Sequence, residues 1–139
     1  SINYRASYAS LLCASAFMIF SNSAMAQTGA PQASGLTRTM VGKADVSVPG
    51  REAVVAKVEV APGSRAGRHT HPGDEISYVS EGEVDLLVDG QPPRTIKAGE
   101  SFVVPAGVVH DAHNASSGTV KLIGVYVVEK GKPLATPAP

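Results

Sequence analysis

The chain has 139 residues, enough for one small domain, and its 12 basic side chains are balanced by 12 acidic ones. This balance provides no electrostatic field that would favour nucleic acid or an anionic membrane. Tryptophan is absent and aromatic residues make up only 5% of the chain, so no stacking platform for single-stranded nucleic acid is expected.

The first 26 residues have the pattern of a secretory signal peptide. Arg5 lies in a polar stretch, residues 11–20 form a short apolar run, and Ala24-Met25-Ala26 is a small-residue processing site. The run is too short to anchor the chain across a bilayer. A buried amphipathic helix is the weaker alternative, because the run is apolar on all sides. We therefore expect residues 1–26 to be cleaved, and the mature protein to be periplasmic or secreted with no membrane segment.

Residues 27–36 are expected to form a flexible linker, because their Gly, Ala, Pro, Ser and Gln composition cannot bury enough apolar surface to offset its ordering entropy. Residues 37–130 are expected to form one domain of short strands, since β-branched stretches alternate with Gly and Pro turns and no helical period is evident. The proline-rich tail, residues 131–139, is expected to be extended or disordered. The expected strands are 37–48, 53–60, 68–71, 75–80, 84–88, 94–97, 101–104, 108–114 and 119–128.

The first stretch of candidate metal ligands begins with two histidines two residues apart. Residues two apart on a strand share a face, so His69 and His71 can aim their imidazoles at one point. Pro72-Gly73 then breaks the strand, and Glu75 supplies a carboxylate. A His-x-His pair alone is a weak signal, because exposed strands carry such pairs by chance. Here, however, all four histidines of the chain fall between His69 and His113.

A third histidine, His110, lies in a second stretch rich in glycine and valine, residues 99–114. Three imidazoles and one carboxylate form a natural ligand set for a divalent first-row metal ion. Four protein ligands leave open positions on a five- or six-coordinate ion, which is what a catalytic metal needs. A structural zinc would prefer a closed tetrahedral set.

The spacing in the first stretch is specific. Gly63 is followed after five residues by His69-x-His71, then after three residues by Glu75 and after six more by Gly82. This series resembles the first motif of the cupin superfamily. In that motif, Gly is followed after five residues by His-x-His, after three or four more by Glu, and after a further six by Gly.

The second stretch is equally regular. Gly99 is followed after five residues by Pro105-x-Gly107, then after two residues by His110 and after three more by Asn114. The second cupin motif has the same residues at the same spacing. With two complete motifs in order, the chain resembles a small single-domain cupin of type 2, similar to the secreted bacterial members that are quercetin-dioxygenase-like.

The resemblance implies an all-β, single-domain fold, the double-stranded β-helix or jelly-roll barrel. It also implies that His69, His71, Glu75 and His110 bind one divalent transition metal ion, whether Fe, Mn, Ni, Cu or Zn. Single-domain members are often homodimers that pair edge strands. The segments 37–48 and 119–128 are the candidates for that pairing here.

Other polar residues of the two stretches have weaker claims on the metal. His113 lies three residues after His110, so in a regular strand it faces the other way and is expected to have a supporting or surface role. Asn114 is expected to bond to backbone, as the resemblance implies, and Asp74 to face solvent. The four motif glycines are expected to supply turn geometry.

The pocket is expected to be small and mostly apolar, and so to hold a small organic ligand or substrate. The candidates for its lining are Ser77, Val79, Phe102, Val104, Ala112, Val58, Val60, Ile123 and Val125, or the neighbours of the last four if a bulge shifts the register.

Three functions are compatible with the resemblance. The first is a metal-dependent oxygenase acting on a small organic molecule, with Glu75 as the candidate catalytic base. The second is a non-redox isomerase, lyase or decarboxylase that uses the metal as a Lewis acid. The third is a non-catalytic periplasmic protein that binds a metal or small molecule. The fold does not choose among them, because one fold hosts many chemistries.

Overall fold

The computed structural model describes residues 35–139, and every regular element in this range is a β-strand. The expected signal peptide and nearly all of the expected linker lie outside the described residues. Within residues 35–139 there is no helix long and apolar enough to cross a membrane. The strands are β1 Leu36–Asp45, β2 Arg51–Val60, β3 His69–Thr70, β4 Gly73–Glu81, β5 Glu83–Val88, β6 Arg94–Lys97, β7 Ser101–Val104, β8 His110–His113, β9 Val120–Glu129 and β10 Thr136–Pro137.

The strands form two five-stranded antiparallel sheets. Their orders are β1-β2-β9-β4-β7 and β10-β3-β8-β5-β6. Side chains along β4 alternate between buried and exposed, and those along β9 alternate between buried and half-buried, so each strand turns one face toward a shared core. The predicted all-β double-stranded β-helix is confirmed.

The tail, expected to be extended or disordered, is extended at residues 136–137, where it pairs with β3 and adds β10 to the second sheet. The expectation that residues 119–128 offer a free edge is wrong, because β9 lies between β2 and β4 and is hydrogen-bonded on both sides. The first strand, β1, does lie at a sheet edge.

The register of the first sheet places the inward-facing residues of β4 and β9 side by side. Tyr126 lies opposite Glu75 in the neighbouring strand, and Gly124 lies opposite Ser77 in the next inward-facing row. Since Gly124 has no side chain, the ring of Tyr126 leans over it: a Cβ at Gly124 would lie 2.9 Å from the Tyr126 hydroxyl oxygen. A glycine therefore lets the largest fully buried side chain of the described core lie flat inside the barrel.

The motif glycines supply turn geometry, as predicted, with positive φ angles. These are 73° at Gly63, 77° at Gly82, 90° at Gly99 and 72° at Gly107.

Gly73 is required for a different reason, its close approach to β9. A Cβ at Gly73 would lie 2.6 Å from the Cα of Val128 and also against the backbone of Val127. Because the obstacle is backbone, Gly73→Ala is expected to lower the free energy of unfolding of the metal-free protein by about 1–3 kcal/mol. Urea denaturation followed by circular dichroism measures this change.

The control is Gly118→Ala. A Cβ at Gly118 would meet no atom within 4 Å, and its backbone is outside the positive-φ region. Its unfolding free energy is expected to stay within about 0.5 kcal/mol of the wild type. Equal stability of the two variants would contradict the close-packing argument for Gly73.

Candidate metal centre

Three histidines converge inside the barrel. β3 pairs with β8 so that His69 lies directly opposite His110, and His71 follows on the same face. The ring centroids are 4.2 Å apart for His69 and His110 and 5.0 Å apart for His71 and His110. One ring nitrogen from each lies within 4.8 Å of those of the other two, so the three residues could hold a metal ion.

Each of the three imidazoles is oriented by a hydrogen bond to the backbone. In every case Nδ1 donates to a carbonyl oxygen: His69 to Gly67 at 2.6 Å, His71 to Leu134 at 2.7 Å, and His110 to Val108 at 2.9 Å. When Nδ1 carries the proton of a neutral imidazole, Nε2 carries the lone pair. The three acceptor bonds thus hold the rings with Nε2 directed inward, the orientation that a metal site needs.

The Nε2 atoms face one another and the carboxylate of Glu75. His69 Nε2 lies 3.2 Å from His71 Nε2, and Glu75 Oε2 lies 2.8 Å from His110 Nε2 and 3.2 Å from His71 Nε2. Lone pairs at such distances repel unless a proton or a metal ion lies between them. Neutral imidazoles and a carboxylate are suitable donors for a divalent transition metal, so these residues fit one.

Burial and hydrogen bonding control the protonation of the site. Burial lowers the pKa of His69 to about 4, so its imidazole is neutral at pH 7. Burial would raise the pKa of Glu75, but hydrogen bonds from His110 and His71 outweigh it and hold this pKa well below its usual range. Burial likewise opposes the charged form of His110, yet its bond to Glu75 raises the pKa. A metal ion binding here would displace the proton shared by this pair.

Glu75 is further held by Ser77, whose Oγ donates to Oε1 at 2.9 Å. The pair lies on one face of β4, two residues apart, and both side chains are buried. Oε1 is thus occupied by a fixed donor while Oε2 points at the histidines. The carboxylate is oriented before any ion binds, which lowers the cost of organising the site.

Asp111 is a residue of the site that the sequence analysis did not identify. Its side chain is buried, and Oδ1 accepts a 2.9 Å hydrogen bond from the amide of Gly67. Arg65 lies 3.5 Å from Oδ2. Because the carbonyl of Gly67 in turn accepts from His69, Asp111 fixes the loop that orients this imidazole. No sequence pattern marks this contact, since it joins two segments 44 positions apart.

The C-terminal tail also takes part. Leu134 supplies the carbonyl that orients His71, and Thr136 pairs with Thr70 on β3. The tail therefore positions one of the three imidazoles, a role that its proline-rich composition does not indicate.

The remaining polar residues of the two motifs lie outside the cluster. His113 is half-buried and is not among the three converging histidines. Asn114 is fully buried and donates to the carbonyls of Val60 and Gly118 at 2.9 and 2.7 Å, which confirms its predicted structural role. Asp74 is exposed, as expected, and accepts a hydrogen bond from the backbone amide of a loop.

A cavity of about 30 Å³, room for about two water molecules, opens beside the imidazoles. Its walls are mostly apolar, as predicted. The residues that line the cavity from β9 are Leu122 and Tyr126 rather than Ile123 and Val125, so the neighbours allowed for in the sequence analysis take their place. Val79 and Val104, also predicted to line it, are buried in the core instead. The Tyr126 ring meets His71 edge-on at 4.8 Å, and burial raises the pKa of Tyr126 to about 12. Arg38 lines the same cavity.

We expect Asp111→Ala to weaken metal binding by about 10–100-fold, because the loop carrying the acceptor for His69 loses its anchor. Competition with a chromophoric chelator measures the affinity. Asp111→Asn is the matched control, since its Oδ1 can still accept from Gly67, and it is expected to lose less affinity than Asp111→Ala. An affinity that is unchanged in Asp111→Ala would contradict the positioning role.

Comparison with known proteins identifies relatives over part of the chain. Germin-like protein 1-1 of Oryza sativa subsp. japonica is 36% identical over 77 residues, which cover 52% of this chain and 36% of that protein. The HTH-type transcriptional regulator PuuR of Escherichia coli is 36% identical over 66 residues, covering 47% and 35%. The chain thus spans about a third of the length of these curated relatives.

Solved structures match over most of the chain. An RmlC-like cupin from Shewanella frigidimarina is 31% identical with a TM-score of 0.56, covering 70% of this chain and 79% of that one. The polyketide cyclase RemF from Streptomyces resistomycificus is 23% identical with a TM-score of 0.62, covering 78% and 75%. An oxalate oxidase bound to glycolate is 24% identical with a TM-score of 0.60, covering 79% and 63%. The last two likenesses show the fold alone.

Residues 56–128 match the cupin domain family. This range is more than half of the chain, and it contains both histidine stretches and the strands that bring them together. The protein belongs to the cupin family.

Proposed function

We propose that this protein is a metal-dependent oxygenase, similar to the quercetin-dioxygenase-like cupins, that acts on a small organic molecule. The observation that supports this most strongly is the set of three Nε2 atoms and one carboxylate that face one another beside a cavity. His69, His71, Glu75 and His110 would hold one divalent transition metal ion. Bound there, an ion of Fe, Mn, Ni, Cu or Zn supplies open coordination positions and Lewis-acid or redox chemistry.

The protein side chains restrict what can react. The apolar walls exclude bulk water, which strengthens electrostatic interactions inside the cavity. The small volume favours a substrate of few atoms over a polymer or nucleotide. Glu75 is the proposed general base, acting when its carboxylate swings off the metal: Oε2, which faces the histidines, would then accept a proton from the substrate while Ser77 holds Oε1.

A non-redox lyase, isomerase or decarboxylase is the alternative, and a non-catalytic binding protein is the third possibility. The same fold is found in a polyketide cyclase and in an oxalate oxidase, and a stretch similar to this chain is found in a transcriptional regulator. Fold therefore does not decide the reaction. The identity of the metal and a measurement of O₂ uptake would distinguish these alternatives.

The location and assembly of the protein are further parts of the proposal. The pattern of residues 1–26 supports a periplasmic or secreted protein. A homodimer is supported by exposed apolar side chains on the edge strand β1 and on the outer face of the first sheet, which a second copy would cover. These residues are Met40, Val41, Ile76, Tyr78 and Val103.

The first experiment is elemental analysis of the mature protein, purified without a histidine tag, beside a His69→Ala/His110→Ala double variant. One transition metal ion per chain is expected in the wild type, and none in the variant, because two imidazole ligands are lost. An oxygen electrode then tests O₂ consumption with catechol, a small aromatic diol, as the probe. Zinc without O₂ uptake would favour the non-redox or binding alternatives. A wild type that holds no metal after incubation with iron, manganese, nickel, copper and zinc would contradict the proposal.

The base role of Glu75 is tested by Glu75→Gln, which keeps the shape of the side chain and removes its negative charge. Turnover is expected to fall by about 10²–10⁴-fold in samples matched for bound metal. Asp74→Asn alters the adjacent exposed carboxylate and is expected to retain the wild-type rate. Full turnover of Glu75→Gln with metal bound would remove Glu75 from the chemistry.

A further inference from the structure

Arg38 is the one arginine or lysine among the described residues that line the cavity. It lies on β1 opposite Val58, whose side chain is buried in the core, so the register directs Arg38 to the inner face of the sheet. Its guanidinium carbon lies 5.6 Å from the centroid of the Tyr126 ring. The same ring contacts His71, so Tyr126 lies between the guanidinium and the histidine cluster.

The guanidinium is incompletely paired within the described chain. Arg38 Nε is buried and has no hydrogen-bond partner among residues 35–139. A buried donor that has lost water without gaining an acceptor costs free energy, so such groups require an explanation. Within the same range, the ion pairs involve other basic residues, and no carboxylate is within 4 Å of Arg38.

Glu75 is the acidic side chain that shares the cavity, and its oxygens have other partners. Oε1 accepts from Ser77, while Oε2 faces His71 and His110. The carboxylate is thus committed to the histidine cluster and the guanidinium is not neutralised by it. Among the described residues, the cavity therefore presents a cation that has no carboxylate partner, beside the candidate metal centre.

We propose that Arg38 determines substrate specificity by binding the carboxylate of a small organic acid that occupies this cavity. A guanidinium presents parallel N–H donors that match the two oxygens of a carboxylate, and burial strengthens the pairing. The face of Tyr126 supports the guanidinium through a cation–π contact. The inference rests on the proposed function, because the acid would react at the metal centre next to Arg38.

A purely structural Arg38 would behave differently. If stacking on Tyr126 and packing of its aliphatic stem were its whole role, substitution would lower stability and leave ligand preference unchanged. Recognition of an anion predicts the opposite pattern, in which the preference for a carboxylate over its neutral amide is lost while the metal content and the fold are retained.

The experiment compares metal-loaded wild type with Arg38→Gln by isothermal titration calorimetry. The probes are acetate, lactate and pyruvate, each paired with its amide: acetamide, lactamide and pyruvamide. The wild type is expected to bind at least one acid about tenfold or more tightly than its amide. Arg38→Gln is expected to weaken binding of that acid by about 10–100-fold and to leave the amide unaffected, because a charge-assisted bond is lost.

Arg38→Lys is the second variant, which keeps the charge and removes the planar pair of donors. It is expected to recover part of the acid preference, and it serves as the test if Arg38→Gln does not fold. Bound metal and melting temperature are measured on every sample. The role of Arg38 would be overturned if the wild type showed no preference for an acid, or if either variant bound the acid as tightly as the wild type does. In both cases, retained metal would leave the proposed function standing. A wild type without metal would overturn both.

Discussion

The candidate metal centre depends on three hydrogen bonds that are made away from its centre. Each imidazole donates Nδ1–H to a backbone carbonyl, and so each directs Nε2 to the interior. The acceptors come from three separate places: the loop before β3, the loop before β8 and the C-terminal tail. Folding of all three segments is therefore required to orient the site, and Asp111 strengthens one of them.

The inner face of the first sheet determines what can reach those nitrogens. Gly124 leaves the space in which the Tyr126 ring lies, and that ring contacts His71 on one side and the Arg38 guanidinium on another. A Cβ at position 124 would lie 2.9 Å from the Tyr126 hydroxyl oxygen, so the ring would have to move to accept a larger residue there. Because Gly124 has no side chain, the packing of the core at this position also determines where the Tyr126 ring lies in the pocket, next to His71 and Arg38.

The same arrangement shows why a buried charge is tolerated. Glu75 is almost fully buried, which by itself would raise its pKa, yet hydrogen bonds from His110 and His71 hold that pKa well below its usual range. Without a metal ion, Glu75 and His110 share a proton. A bound metal ion would displace that proton, so the polar network that holds Glu75 would also hold the cation.

The sequence by itself determined the all-β fold, most strand positions and the convergence of three histidines, because a period of two and fixed motif spacing are local properties of the chain. It also indicated the backbone role of Asn114. The tertiary structure alone decided the contributions of Arg38, Asp111, Tyr126 and the tail carbonyl of Leu134. These contacts join strands that are distant in sequence, and they depend on sheet order and register. Sheet order and register are set by how the whole barrel closes, and no local sequence pattern encodes them.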